Sequence, residues 1–388
     1  MRLRFKLHNF FLFFPLGIIG PYFALYLYQM GFTGVQVGLL LGTLPITTIF
    51  FQPVWSYLSD VLNTRRLMLA LGCLGAAGFA AGLAFADSFT ATFLCGVMLS
   101  IMASHLIPVS TAIVLDYLEG EGKTESFGLI RLWGSIGFSV SSLVLGSLFL
   151  DQITVFYPWF LAGTYLVLGL LSFLLPEKGK TFVYPNLGRL DILKDEPLLT
   201  LFLLSIVFIG ATLSISTNYQ TLYLQIYDAV PLLVGATVSL QAVLEVPMMM
   251  VTPWLLSKFT MTQIILAGAV GLPLRWFLYI FIKDPAWVVP TQLLHGAAIV
   301  SFMVVGVSFI DKYVDKKWRA TGQGLYNTAI HGVGSSLGLY MAGTVFEWMD
   351  ITAVWILNTI LGVVAVGLLY FSLRKFRARE IKNPGSEV

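Results

Sequence analysis

The chain has 388 residues, of which 57% are hydrophobic and 11% are charged, and its mean hydropathy is +0.84. A soluble domain carries about 25% charged residues, so this composition excludes a soluble globule with a polar surface. The net charge is only +3, and the two cysteines, Cys73 and Cys95, lie inside apolar runs, which excludes a disulfide framework and argues against a cysteine metal site.

Long apolar runs follow one another along the chain, each about 20 residues or longer, and none alternates as a strand does. Backbone polar groups inside a bilayer must be satisfied internally, so these runs predict membrane-spanning helices. Twelve spans, numbered one to twelve in chain order, are predicted at residues 7–29, 35–59, 67–86, 88–116, 126–150, 154–175, 197–226, 231–257, 262–282, 286–310, 320–346 and 352–373. Span one is too long for a signal peptide and lacks a small-residue cleavage site, so we expect it to be retained.

The basic residues indicate how these spans are oriented. With the N-terminus in the cytoplasm, every lysine and arginine except Arg275 and Lys283 falls in or next to a cytoplasmic segment. An excess of basic residues on that side is what the positive-inside rule describes. We therefore expect a multi-pass protein of a bacterial-type cytoplasmic (inner) membrane, with both termini in the cytoplasm.

The longest polar stretch, residues 177–196, separates the first six spans from the last six. It predicts an N-terminal bundle over 1–176, a cytoplasmic linker over 177–196, and a C-terminal bundle over 197–388 with a short basic cytoplasmic tail.

The two predicted halves share short sequence blocks. Leu25-Tyr26-Leu27 recurs as Leu222-Tyr223-Leu224, 197 residues later, and Ser141-Ser142-Leu143 recurs as Ser335-Ser336-Leu337 at an offset of 194. Six helices repeated in parallel orientation are the plan of major facilitator transporters, which bind substrate between the halves near the midplane. The sequence therefore predicts an all-α membrane protein with twelve transmembrane helices in two pseudo-symmetric six-helix bundles.

The loop that follows span two resembles the signature loop of the major facilitator superfamily. It keeps Asp60 and the basic pair Arg65 and Arg66, whereas Ser56 and Val61 replace the usual glycine and arginine. The resemblance implies that Asp60, Arg65 and Arg66 form a cytoplasmic gate.

The start of span five, FGLIRLWGSIGF at 127–138, resembles the branch that holds proton-coupled lactose permeases, nucleoside symporters and phenylpropionate-type permeases. In lactose permeases the arginine at the place of Arg131 binds sugar, and the aromatic residue at the place of Phe138 stacks on the sugar ring. The segments around Arg275 and His295 resemble the same branch, in which these positions serve substrate binding and proton coupling. The lactose permease has a carboxylate three residues beyond that histidine, where this chain has Ala298, and its sugar-binding glutamate in span four falls near Thr111. The resemblance therefore implies neither lactose recognition nor that proton site.

Ionisable residues inside spans are functional candidates, because a charge in the bilayer is costly unless it is paired or hydrated. The candidates for proton coupling are Glu245, Arg275, His295 and His331, all in the C-terminal half. We expect Glu245 to carry the proton and Arg275 to tune it or to hold an anionic or hydroxyl group of the substrate. The alternatives are a static salt bridge between Glu245 and Arg275, and histidines that only hydrogen bond between helices.

Polar and aromatic residues of several spans are candidates for binding substrate. Gln241 lies one helical turn before Glu245 and shares its face. Arg131 has Asp116 as a candidate partner, although it can instead extend to the membrane interface, and Phe138 can instead be a packing residue. The predicted substrate-binding set is Arg131, Phe138, Tyr22, Tyr26, Asn218, Tyr219, Gln220, Gln241, Arg275 and His295.

The sequence contains no phosphate-binding loop, metal-ligand cluster or nucleophile elbow, so it predicts neither an enzyme nor a cofactor or metal. We expect a monomeric secondary active transporter that takes up a sugar, nucleoside or aromatic acid with protons and has no nucleic-acid partner. One alternative is a proton-coupled antiporter that exports a hydrophobic or amphipathic compound, which 30 phenylalanines also suit. Another is a non-transporting scaffold or a membrane-embedded enzyme on this fold.

Overall fold

The computed structural model describes residues 2–62, 64–121, 127–176, 197–315 and 318–382, and these are almost entirely helical. Eleven helices in this part of the chain are long and apolar enough to cross a membrane: Leu3–Gln29, Gly34–Val61, Arg65–Phe85, Phe89–Gly120, Phe127–Leu148, Leu150–Ser172, Leu198–Ile226, Pro231–Lys258, Met261–Phe281, Pro285–Tyr313 and Ile351–Arg377. They correspond to spans one to ten and span twelve. The helix of span twelve continues to Lys382.

Span eleven consists of three consecutive helices, Arg319–Asn327, Thr328–Gly334 and Ser335–Trp348, of which the second is π-helical. Its glycines, its serines and His331 make it less apolar than the other spans. With it, the predicted all-α membrane fold of twelve spans is confirmed. The predicted linker, 177–196, lies outside the described residues.

Local sequence explains where several spans begin and break. Span two starts with a capping box, because the Thr33 hydroxyl accepts from the Gln36 N–H at 3.3 Å and the Gln36 side chain accepts from the Thr33 N–H at 3.0 Å. Span one is two helices, Arg2–Phe13 and Leu16–Gln29, and the second begins after Pro15. Proline disfavours a helical conformation at the residue before it, which explains a break at this point.

Contacts divide the chain into two compact units. The first comprises Met1–Val183 and Asn218–Val243, and the second comprises Tyr184–Thr217 and Leu244–Val388. The second part of span seven and the first part of span eight therefore belong to the first unit. The division of the chain into bundles at 177–196 stays a prediction.

The same helix crossing occurs once in each unit. In the first unit Gly137 of span five lies against the carbonyl oxygen of Phe10 in span one, and in the second unit Gly334 of span eleven lies against that of Val207 in span seven. A Cβ atom at either glycine would collide with the opposing backbone, so only glycine permits these close approaches. The contact between spans one and five is thus repeated between spans seven and eleven.

Candidate functional site

Two of the three predicted gate residues, Asp60 and Arg65, form a nearly buried ionic cluster with Asp116, which we call the gate cluster. The Arg65 Nε donates to the Asp60 carboxylate and its Nη1 donates to the Asp116 carboxylate, each at 2.7 Å. The three side chains are only 6–12% exposed. The sequence suggested Arg131 as a candidate partner of Asp116, and the ion pair of Asp116 with Arg65 was not predicted. Arg66, the residue that follows Arg65, is half-buried.

Replacing Arg65 by alanine should destabilise the protein, because two carboxylates of like charge would then lie close together without their cation. Removal of one partner from a buried ion pair costs about 3–5 kcal/mol. The thermal unfolding midpoint in detergent should fall. A second change, Asp116→Asn, should recover part of that loss by removing one negative charge, whereas a further fall on adding Asp116→Asn would contradict the repulsion argument.

The single acid predicted to carry a proton is paired with a predicted histidine. The Nε2 atom of His295 in span ten lies 3.5 Å from the Glu245 Oε1 in span eight. The histidine side chain is 9% exposed and the glutamate 26% exposed. Atom Nδ1 of His295 is buried and has no hydrogen-bond partner among the described residues.

The guanidinium of Arg275 is fully buried and is held by neutral side chains. Its Nη2 donates to the Gln292 side-chain oxygen at 2.6 Å and to the Tyr279 hydroxyl at 3.2 Å. Its Cζ lies 4.7 Å from the centroid of the Trp276 ring. The amide nitrogen of Gln292 donates to the Val288 carbonyl, so its oxygen faces the arginine. The predicted Glu245–Arg275 pair stays a prediction.

One short helix of span ten connects these two groups. Helix Gln292–Ile299 carries Gln292, which contacts Arg275, and His295, which contacts Glu245. Residues three apart lie on the same helix face. Gln292 is not among the residues predicted from the sequence, although its spacing of three residues from His295 places both on one helix face.

Arg131 of span five stacks on an aromatic ring that the sequence analysis did not single out. Its Cζ lies 3.7 Å from the centroid of the Phe13 ring in span one. Phe138, the predicted stacking residue, is half-buried, and its carbonyl accepts a hydrogen bond from the Ser141 hydroxyl.

The predicted polar residues of spans seven and eight are partly brought together. The Gln241 side-chain nitrogen donates to the Gln220 side-chain oxygen at 2.7 Å, and both side chains are buried. Tyr219 is also buried, and Asn218 is half-buried. The first unit therefore holds a buried amide pair, Gln220 and Gln241.

Three other predicted residues have different surroundings. Tyr22 and Tyr26 are buried, and their hydroxyls donate to the Ser142 carbonyl at 2.7 Å and the Leu83 carbonyl at 3.2 Å. His331 is exposed at the surface of the chain and lies in the π-helical turn Thr328–Gly334. Single π-turns occur often at functional sites.

A family model extends over most of the chain. The MFS_1 like family matches residues 2–357. The chain belongs to this family. The predicted major facilitator resemblance is confirmed.

Known proteins of similar sequence are transporters. The uncharacterized transporter YwbF of Bacillus subtilis is 29% identical and covers 94% of this chain and 91% of its own length. The maltose permease of Geobacillus stearothermophilus is 26% identical and covers 96% of this chain and 95% of its own length. The crystal structure of nucleoside transporter NupG superposes with a TM-score of 0.86 at 21% identity, over 96% of this chain and 98% of NupG.

The MFS_1 like protein described here is therefore a multi-pass membrane transporter of small molecules and not an enzyme. Its fold is that of the NupG structure.

Proposed function

We propose that this protein is a proton-coupled symporter that takes up a small polar solute. The Glu245–His295 pair supports this proposal most, because it combines a carboxylate and an imidazole inside membrane spans. Intramembrane acids and histidines form proton relays in pumps and transporters. Glu245 accepts the proton, His295 relays it, and Arg275 adds a fixed positive charge in the same unit.

The chemistry of His295 favours a neutral solute that carries hydroxyl or N–H groups. While Glu245 is ionised and His295 is neutral, His295 donates through Nε2, so Nδ1 is an acceptor. A hydroxyl or N–H group of the solute can donate to that buried atom, which is otherwise without a partner among the described residues. A carboxylate cannot donate there, so we place sugars and nucleosides before aromatic acids.

The names of the relatives agree with these two solute classes, since one is a maltose permease and another a nucleoside transporter. Arg131 and the amide pair Gln220–Gln241 contribute further hydrogen-bonding groups from the first unit. The protein acts as a monomer.

The positions of the basic residues support an orientation with both termini in the cytoplasm of a bacterial inner membrane. The gate cluster then lies on the cytoplasmic side. Solute and protons would enter from the opposite side.

A thermal-shift screen of the purified protein tests the proposed solute class. A ligand that binds only the folded protein raises its unfolding midpoint. At a ligand concentration of 100 times the dissociation constant, the free energy of unfolding rises by about 2.7 kcal/mol. We expect sugars or nucleosides to raise the midpoint and aromatic acids to have a smaller effect. Stabilisation by aromatic acids alone would contradict the proposed solute class.

A further inference from the structure

The guanidinium of Arg131 rests on the face of one particular phenylalanine. The distance of 3.7 Å from Cζ to the ring centroid is a stacking distance, and both side chains are only half-buried. A cation over an aromatic face is attracted by the ring quadrupole. We call Phe13 and Arg131 the arginine stack.

A glycine makes the space for this stack. A Cβ atom at Gly134, three residues after Arg131 in span five, would lie 2.5 Å from the Phe13 Cδ2 and 2.9 Å from the Arg131 Nη1. Any larger residue at 134 would therefore push the ring and the guanidinium aside. These contacts are the ends of flexible side chains, so the backbone can stay in place.

The backbone around Phe13 is fixed independently of the stack. Phe13 is the last residue of helix Arg2–Phe13, next to the break at Pro15. One turn earlier, the carbonyl of Phe10 packs directly against Gly137 of span five. The ring of Phe13 is thus presented to span five by a close helix crossing.

We propose that Phe13 is a positioning residue that holds the Arg131 guanidinium flat, so that its N–H edge meets oxygen atoms of the solute. The proposal rests on the proposed function, in which Arg131 binds solute. A planar guanidinium presents its donors in a fixed fork, which suits two adjacent oxygens such as vicinal hydroxyls of a sugar or ribose.

The first test measures the stack without any solute. Phenylglyoxal labels guanidinium groups, and its rate of reaction at Arg131 can be followed by mass spectrometry of the full-length protein. Phe13→Leu and Gly134→Ala should raise that rate several-fold, whereas Phe13→Trp should retain the slow rate because tryptophan binds cations best. Equal rates in wild type and Phe13→Leu would overturn the stack.

The second test measures transport of radiolabelled maltose and uridine. Phe13→Leu and Gly134→Ala should raise KM about tenfold, a loss between those of an exposed and a desolvated cation–π contact, and leave the maximal rate within about twofold. Phe13→Trp should restore the wild-type KM. A Phe13→Trp variant as impaired as Phe13→Leu would overturn the proposal, because it would show a role for side-chain volume alone.

Matched controls separate the stack from general packing. Phe11→Leu changes a neighbouring ring that packs on Phe14, and Gly128→Ala adds a methyl group to the same span where no atom lies within 4 Å. Both should keep the wild-type KM. Arg131→Ala separates the role of Arg131 from that of Phe13. An unchanged KM in Arg131→Ala would contradict solute binding by Arg131. A raised KM in Arg131→Ala together with a wild-type KM in Phe13→Leu would overturn only the role of Phe13.

Discussion

Replacing Gly146 by tryptophan should lower the rate of solute uptake by about tenfold or more while solute binding is retained. Gly146 lies near the end of span five, where a Cβ atom would stand 2.6 Å from the Cα of Gly235 in span eight and against the Tyr22 hydroxyl. Reciprocal hydrogen bonds between Ser139 and Ser239, from each hydroxyl to the other's carbonyl, join the same two spans. The large side chain would prevent this close packing.

The expected size of the effect follows from overpacking, which costs about 1–3 kcal/mol. Since 1.4 kcal/mol corresponds to a factor of ten, a cost of this size would shift the equilibrium between the closely packed arrangement of spans five and eight and a more open one by about tenfold or more. Arg131 lies 15 residues before Gly146 on the same helix, about 22 Å away at 1.5 Å per residue, so solute binding there should persist.

Uptake and equilibrium binding of radiolabelled maltose and uridine check this prediction. Gly163→Trp is the matched control, since no atom lies within 4 Å of a Cβ at that position in span six. Wild-type uptake by the Gly146→Trp variant would show that the packing of spans five and eight is dispensable for transport.

Glu245→Gln should abolish solute accumulation driven by a proton gradient and leave counterflow intact. Glutamine preserves the shape of the side chain and keeps an oxygen that can lie near the His295 Nε2, as the glutamate Oε1 does at 3.5 Å, but it does not titrate. Exchange of labelled for unlabelled solute requires no net proton movement, so it should continue. Accumulation should fall to the level reached without a gradient.

Glu347→Gln provides the control for this change. Glu347 is also a glutamate of the C-terminal half, but it is exposed near the end of span eleven. We expect the Glu347→Gln variant to accumulate solute as the wild type does. Accumulation by Glu245→Gln equal to that of Glu347→Gln would exclude Glu245 as the proton carrier.

The number and placement of spans could be predicted from the sequence because the physical signal is strong. Apolar runs of the length of a bilayer and the polar stretch at 177–196 leave few alternatives for a chain in lipid. The helix break at Pro15 and the π-helical turn Thr328–Gly334, by contrast, leave hydropathy almost unchanged. They were not predicted.

The internal repeat was only partly predicted. Contacts repeat at an offset of 197, because Gly137 against Phe10 corresponds to Gly334 against Val207. The match of serines in spans five and eleven at an offset of 194 therefore has a different register from these contacts. Small residues recur so often in membrane helices that a three-residue match does not fix the register.

Residue types in the candidate site were predictable, but their partners were not. Glu245 and His295 stand out because charged and titratable groups are rare within spans. Arg65 and Asp116 are 51 residues apart, and no local spacing links them. Phe13 belongs to an aromatic run in which any ring could have faced Arg131.

The proposal that Glu245 couples solute entry to proton entry can be tested most directly in lightly buffered liposomes that contain the purified protein and an entrapped pH-sensitive dye. Maltose or uridine is added outside, and the internal pH is followed with and without the solute. The wild type should acidify the interior as solute enters, and Glu245→Gln should exchange solute without acidification. Solute-dependent acidification by Glu245→Gln at the wild-type rate would contradict the account.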